Sequence, residues 1–191
     1  MQCLSGLRAI HTHKILHRDI KAQNVLITGD VYKIADFGVS KVTHSQGEYA
    51  KTQIGTPFYL SPEIWRQEKY NEKTDVYSLG CLFYELCMLK HPYNGKDIKD
   101  LQKNVLRGQY QPITTYYSEE LRDMIYSMLR TISSKRPSIA ELIVLPAIQA
   151  KKDVCPTLFD DQILAGEQTV LQYGMNSYVD QPEMLKTIQM N

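Results

Sequence analysis

The spacing of apolar positions changes several times along the chain, and the changes divide it into segments. Leu4, Leu7 and Ile10 recur at helical spacing, which predicts a helix reaching His11 or His13. Val25-Leu26-Ile27 and Val31-Tyr32-Lys33-Ile34 are short apolar runs separated by Thr28-Gly29-Asp30, the pattern of a β-hairpin with a glycine-containing turn. Residues 36–63 are rich in Ser, Thr, Gly and Pro and show no period, so they read as a long loop of the kind that carries function or is disordered.

Beyond the loop the spacing is helical. Val76, Leu79, Phe83, Leu86 and Cys87 mark one face of a helix that must stop before His91-Pro92. Ile98, Leu101 and Val105 mark a second, with Gly108 placed to end it. Leu121, Met124, Ile125, Met128 and Leu129 mark a third, opened by Ser118 ahead of two glutamates. Ser138 and Glu141 form a capping-box pattern that starts a fourth after Pro137. The body is therefore expected to be mainly helical with one small hairpin near its front. From about residue 150 the period fades, and 150–191 is expected to be a loosely packed extension.

Composition narrows the function classes. The chain has 191 residues, 43% apolar and 23% charged, with a formal net charge of +1. This is the profile of a globular protein, not of a collagenous, highly charged or disulfide-dense one. The near-zero net charge gives no reason to expect nucleic acid or a membrane as a partner. No apolar run approaches the roughly 18 residues of a membrane span, and the N-terminal stretch has no secretory pattern. Residues 1–149 hold 19 basic and 15 acidic residues, whereas 150–191 hold three lysines against six acidic residues. The cysteines at 3, 81, 87 and 155 show no CxxC spacing and read as reduced thiols of an intracellular protein.

The chemistry concentrates in His17-Arg18-Asp19-Ile20-Lys21-Ala22-Gln23-Asn24, followed by the hairpin and by Asp36-Phe37-Gly38. A carboxylate, an ammonium and an amide fall within six residues of loop, and a hairpin brings a second carboxylate back beside them. Asn24 and Asp36 are oxygen ligands suited to Mg²⁺, which favours a few protein oxygens plus phosphates and water. Asp19 is placed to orient an attacking hydroxyl, and Lys21 to neutralise a transferring phosphoryl group. His11, His13 and His17 invite a metal reading, but the cysteines are distant and His17 already belongs to the loop pattern. Cys81 and Cys87 read as packed thiols, not a redox pair.

The ordered set His-Arg-Asp-x-Lys-x-x-Asn followed by Asp-Phe-Gly resembles the C-terminal lobe of eukaryotic protein kinases over residues 1–149. The resemblance implies a mainly α, protein-kinase-like C-lobe: a helical subdomain with a small β-hairpin at the catalytic loop, and 150–191 as a C-terminal tail. It also implies ATP and Mg²⁺ as cofactors and protein substrates. Asp36 to Ser61-Pro62-Glu63 is similar to the activation segment, with serine where the family has alanine. Asp75 resembles the helix aspartate that holds the catalytic loop backbone, and Arg136 the arginine that pairs with Glu63. Losing one partner of that buried pair is expected to cost about 3–5 kcal/mol.

Lys21, and Gly55-Thr56-Pro57-Phe58-Tyr59 ahead of Ser61-Pro62-Glu63, resemble serine/threonine kinases rather than tyrosine kinases. In that family Thr56 hydrogen-bonds Asp19 and Lys21. The segments HRDIKAQN, DFGVSK, AKTQIGTPFYLSPEI and DVYSLGCLFYEL most resemble the NIMA-related (NEK) kinases, which implies a cytoplasmic setting with cytoskeletal association. Arg18 next to Asp19 implies a pocket for a phosphorylated activation segment. Thr52 is the best-placed acceptor, modified by itself or by an upstream kinase, with Lys41 assisting.

Kinases also carry an N-terminal lobe with a glycine-rich loop and a strand lysine. Only 16 residues precede His17, whereas five strands and a helix need roughly 36 residues before any loops. No G-x-G-x-x-G occurs in the chain. Two readings follow. One is a piece of an active serine/threonine kinase, truncated and inactive alone, with an uncovered apolar face that favours weak stability or association. The other is a non-catalytic kinase-like binding module or pseudokinase fragment. A small-molecule phosphotransferase is disfavoured by the long activation segment.

Overall fold

The computed structural model describes residues 1–36 and 57–155. Helix α1 (Gln2–Thr12) buries Leu4, Leu7 and Ile10, the face its spacing predicts. A 3₁₀ turn at Ala22–Asn24 leads into strands β1 (Val25–Thr28) and β2 (Val31–Ile34). They pair antiparallel with Val25 opposite Ile34 and Thr28 opposite Val31, so the connection is two residues, Gly29-Asp30. Thr28 lies in the strand rather than the turn. Gly29 sits at φ 57, which glycine adopts without a Cβ penalty, as the first turn position of such a hairpin requires.

Among the described residues six further α-helices follow: α2 (Pro62–Trp65), α3 (Glu72–Met88), α4 (Ile98–Arg107), α5 (Glu119–Met128), α6 (Ile139–Ile143) and α7 (Pro146–Gln149). The hairpin packs on α1, where the Gln2 side chain donates to the Asp30 carbonyl and accepts from the Tyr32 N–H. Leu26, Ile27, Val31 and Tyr32 on the hairpin remain exposed.

α3 is the axis of the structure. Its sequence reads as one-faced, but every residue from Thr74 to Leu82 is buried, while Leu86 is 63% exposed and Phe83 and Cys87 are half-buried. The first half of the helix is enclosed on all sides, so its small and polar residues are as buried as its apolar ones. The second half emerges from the core, and there the expected apolar face reaches solvent. Gly80 is needed at the crossing with α5, because a Cβ there would stand 2.8 Å from Met128 Cβ. Burial pushes the Cys81 thiol up, which makes it inert, and none of the four cysteines forms a disulfide.

The helix ends follow the sequence closely. Asn71 and Thr74 form a capping box at α3, and Ser138 and Glu141 form one at α6. Ser118 caps α5 by accepting from the Leu121 N–H. Gly108 closes α4 at φ 69. Ile98, expected on the apolar face of α4, is 49% exposed, while Leu101 and Val105 are buried. The packed core continues past residue 149 as far as Cys155, which is 3% exposed. Among the described residues no helix is long and apolar enough to cross a membrane.

Candidate active site

The loop between α1 and β1 is shaped by one buried carboxylate. Asp75, in the first turn of α3, accepts the His17 N–H on Oδ2 and the Arg18 N–H on Oδ1, each at 2.9 Å. The Tyr70 hydroxyl donates to Oδ1, and His11 Nε2 lies 2.8 Å from Oδ2. Burial alone would raise the Asp75 carboxyl, but the bonds from His11, Tyr70, Arg18 and His17 outweigh it and hold it below the usual carboxylate range. An ionised carboxylate only accepts, so His11 Nε2 carries the proton. Arg18 stands at φ 70, a left-handed conformation that costs a non-glycine residue about 1–3 kcal/mol. Two adjacent amides bound to one carboxylate hold it there.

His17 ties this loop to the hairpin. Its Nδ1 accepts the Asp19 N–H at 3.3 Å, so its Nε2 donates to the Ala35 carbonyl at 3.0 Å. Burial pushes the imidazole down by more than Asp75 and the Ala35 carbonyl raise it, which favours this neutral form. The histidines are thus engaged as hydrogen-bonding groups, with His13 Nδ1 2.7 Å from the Ala9 carbonyl. Among the described residues no three His, Cys, Asp or Glu side chains gather as a metal-holding group.

Asp19, Lys21 and Asn24 form one connected unit. Lys21 Nζ donates to Asp19 Oδ2 at 2.8 Å, and Asn24 Nδ2 donates to the Asp19 carbonyl at 2.7 Å and to Oδ2 at 3.1 Å. The Ala35 N–H donates to the Asn24 carbonyl at 2.8 Å, which closes the base of the hairpin and sets the exposed Asp36 beside Asn24 across it. Asp36 stands at φ 62, which aspartate tolerates better than most residues. With Asn24 Nδ2 engaged by Asp19, the amide's oxygen and the Asp36 carboxylate make an all-oxygen donor set. That set fits Mg²⁺.

Glu63, at the start of α2, and Arg136 are each 2% exposed. Arg136 Nη1 and Nη2 donate to the two Glu63 oxygens at 2.6 Å. Its remaining bonds go to the Lys73 and Arg130 carbonyls, and its guanidinium lies 4.7 Å from the Tyr77 ring centroid. Thr74 Oγ1 also donates to Glu63 at 2.9 Å. Burial would raise Glu63, but Arg136 overcomes it and holds the carboxyl low.

Thr52, Thr56 and Lys41 lie outside the described residues. Arg18 is described: its guanidinium lies 6.0 Å from the Tyr70 ring centroid. Sequence reasoning missed the supports of this site: His11 bonds a carboxylate 64 residues away, which no local spacing marks, and Tyr70, only five residues before Asp75, lies ahead of α3 where no period places its side chain. It also missed Tyr59, whose hydroxyl donates to Glu85 and accepts the Ala22 N–H at 3.5 Å, while Phe58 stacks on His91 at 4.0 Å.

The family model described as protein kinase domain matches residues 1–147. The chain belongs to the protein kinase family. Among curated proteins it is 44% identical over 151 residues to human serine/threonine-protein kinase Nek5, covering 78% of this chain and 21% of that protein. It is 36% identical to mouse Nek1 over 201 aligned positions, covering 97% of this chain and 17% of that protein. It is 42% identical over 147 residues to the G2-specific protein kinase nimA of Emericella nidulans, covering 76% of this chain and 21% of that protein. These relatives agree with the NIMA-related resemblance of the motifs. The chain spans about a fifth of the length of the kinases it matches. Kinases of this family use ATP and Mg²⁺, and the fold is the mainly helical, hairpin-bearing one that the motifs imply.

Proposed function

We propose that this chain supplies the catalytic and substrate-binding half of a serine/threonine protein kinase that transfers the γ-phosphate of ATP to protein hydroxyls. The observation that carries the reading is the hydrogen-bonded unit of Asp19, Lys21 and Asn24, anchored through the loop backbone on Asp75 and placed beside Asp36. Asp19 orients the substrate hydroxyl and receives its proton, while Lys21 balances charge on the transferring group. Asn24 and Asp36 hold Mg²⁺, which neutralises phosphate charge when bound. Thr56 joins Asp19 and Lys21 on the substrate side. Phosphate on Thr52, placed there by the kinase itself or by another, is read by Arg18 and Lys41. Residues 1–149 form the kinase lobe and 150–191 its tail. The exposed apolar hairpin of Leu26, Ile27, Val31 and Tyr32 suits a covering surface, either adenine or a second lobe. Protein substrates and a cytoplasmic, cytoskeleton-associated setting complete the proposal.

The test uses the natural full-length protein with ATP, Mg²⁺ and dephosphorylated casein. Wild type incorporates phosphate on serine or threonine, and Asp19→Asn lowers kcat by about 10²–10⁴ with little change in melting temperature. Asp36→Asn raises the Mg²⁺ concentration required. Transfer that is absent in wild type, or that Asp19→Asn leaves unchanged, overturns the proposal in favour of the non-catalytic binding module.

A further inference from the structure

Next to the start of the catalytic loop lies an open cleft of about 470 Å³. It is lined by His11, Lys14, Leu16, Tyr70, Asn71, Glu72 and Lys73. That volume falls within the range of small-molecule sites, roughly 300–1,000 Å³. The wall chemistry is mixed. Leu16 and the Tyr70 ring offer apolar surface. Two ammonium groups and the carboxylate of the exposed Glu72 border the cleft, and the Lys73 amine is already held by the Arg136 carbonyl at 2.9 Å and by Glu141 at 3.3 Å. The amine left to meet a ligand is that of Lys14, on the exposed turn directly after α1.

Two walls of this cleft are also supports of the active site. His11 and Tyr70 are the side chains that bond Asp75, and Asp75 holds the His17 and Arg18 amides. The Tyr70 ring further lies against the Arg18 guanidinium. A molecule seated against His11 and Tyr70 is therefore two contacts away from the backbone that positions Asp19.

We infer that this cleft is an effector site for a small amphipathic anion, an aromatic or aliphatic body bearing a carboxylate or phosphate. The body rests on Leu16 and Tyr70, and the anion pairs with Lys14. Occupancy biases the geometry of the catalytic loop through the shared Asp75. Binding itself does not rest on the kinase reading. Its consequence for phosphoryl transfer does, so the experiment reads binding and loop geometry without any activity assay.

The probe is indole-3-acetate, titrated into the isotope-labelled chain and followed by amide and side-chain NMR, with inorganic phosphate and indole as separate arms. The expected result is saturable binding of indole-3-acetate with a Kd on the order of 1 mM, as an open cleft and a small ligand allow. Shifts are expected at His11 and Tyr70 and at the His17 and Arg18 amides. Lys14→Ala, a change on an exposed turn, should weaken binding about fivefold or more without altering the fold, and Leu16→Trp should fill the cleft and abolish binding. Indole or phosphate alone should bind at least fivefold more weakly. The inference is overturned if indole-3-acetate fails to saturate or if Lys14→Ala leaves its affinity unchanged. It is equally overturned if phosphate alone binds as well, which leaves only a surface cation, or if the His17 and Arg18 amides do not move on saturation.

Discussion

Removing Arg136 tests how the start of α2 is locked to the helical body. In Arg136→Met, Glu63 keeps Thr74 Oγ1 as a donor but loses both 2.6 Å bonds from the guanidinium. The Lys73 and Arg130 carbonyls lose their donor as well. The remaining carboxylate is 2% exposed, so water does not replace the missing partner. Breaking a buried pair from one side costs about 3–5 kcal/mol. For a domain of this size that corresponds to a fall in Tm of about 6–20 °C.

The pH dependence gives an independent sign. In the wild type the folded Glu63 carboxyl lies below its ordinary value, so its stabilisation is present above about pH 4.5 and is lost as pH falls through the folded value. In Arg136→Met the same carboxylate is buried without its cation, so its value rises and the variant gains stability relative to wild type as pH falls. The assay is urea unfolding of both proteins between pH 4 and 8, with Glu63→Gln and the double variant completing a mutant cycle. A loss below about 1 kcal/mol in Arg136→Met, or a gap that does not narrow toward pH 4, refutes the reasoning.

Asp75→Asn leaves a neutral group where four donors converge, and should lower stability by about 2–3 kcal/mol in denaturant unfolding. Amide exchange at His17 and Arg18 should accelerate by more than at the buried end of α5, because those two amides depend directly on the carboxylate. Gly80→Ala should cost about 1–3 kcal/mol in thermal melts, since the new methyl would lie 2.8 Å from Met128 Cβ at the α3–α5 crossing. In a Met128→Gly background, which removes that Cβ, Gly80→Ala should cost less, whereas additive losses would show that the two sites do not touch.

Much of this protein is legible locally. Ser118, Ser138 with Glu141, and Gly108 announce helix ends because a cap needs only neighbours in sequence. The hairpin is equally local, as two short apolar runs joined by Gly29-Asp30 pair with each other. Asp19, Lys21 and Asn24 were readable as a set because they lie within six residues and meet across one turn. What required the tertiary structure is everything that depends on enclosure. Leu86 and Ile98 have the helical spacing of core residues yet stand in solvent, since spacing fixes a face but not what covers it. Thr74, Asp75 and Ser78 are polar yet buried, because α3 runs through the centre of the lobe and its polar groups find partners there. His11 reaches the active site through the Asp75 carboxylate 64 residues away, and Tyr70 through that carboxylate and the Arg18 guanidinium, a convergence that sequence spacing does not encode and packing alone decides.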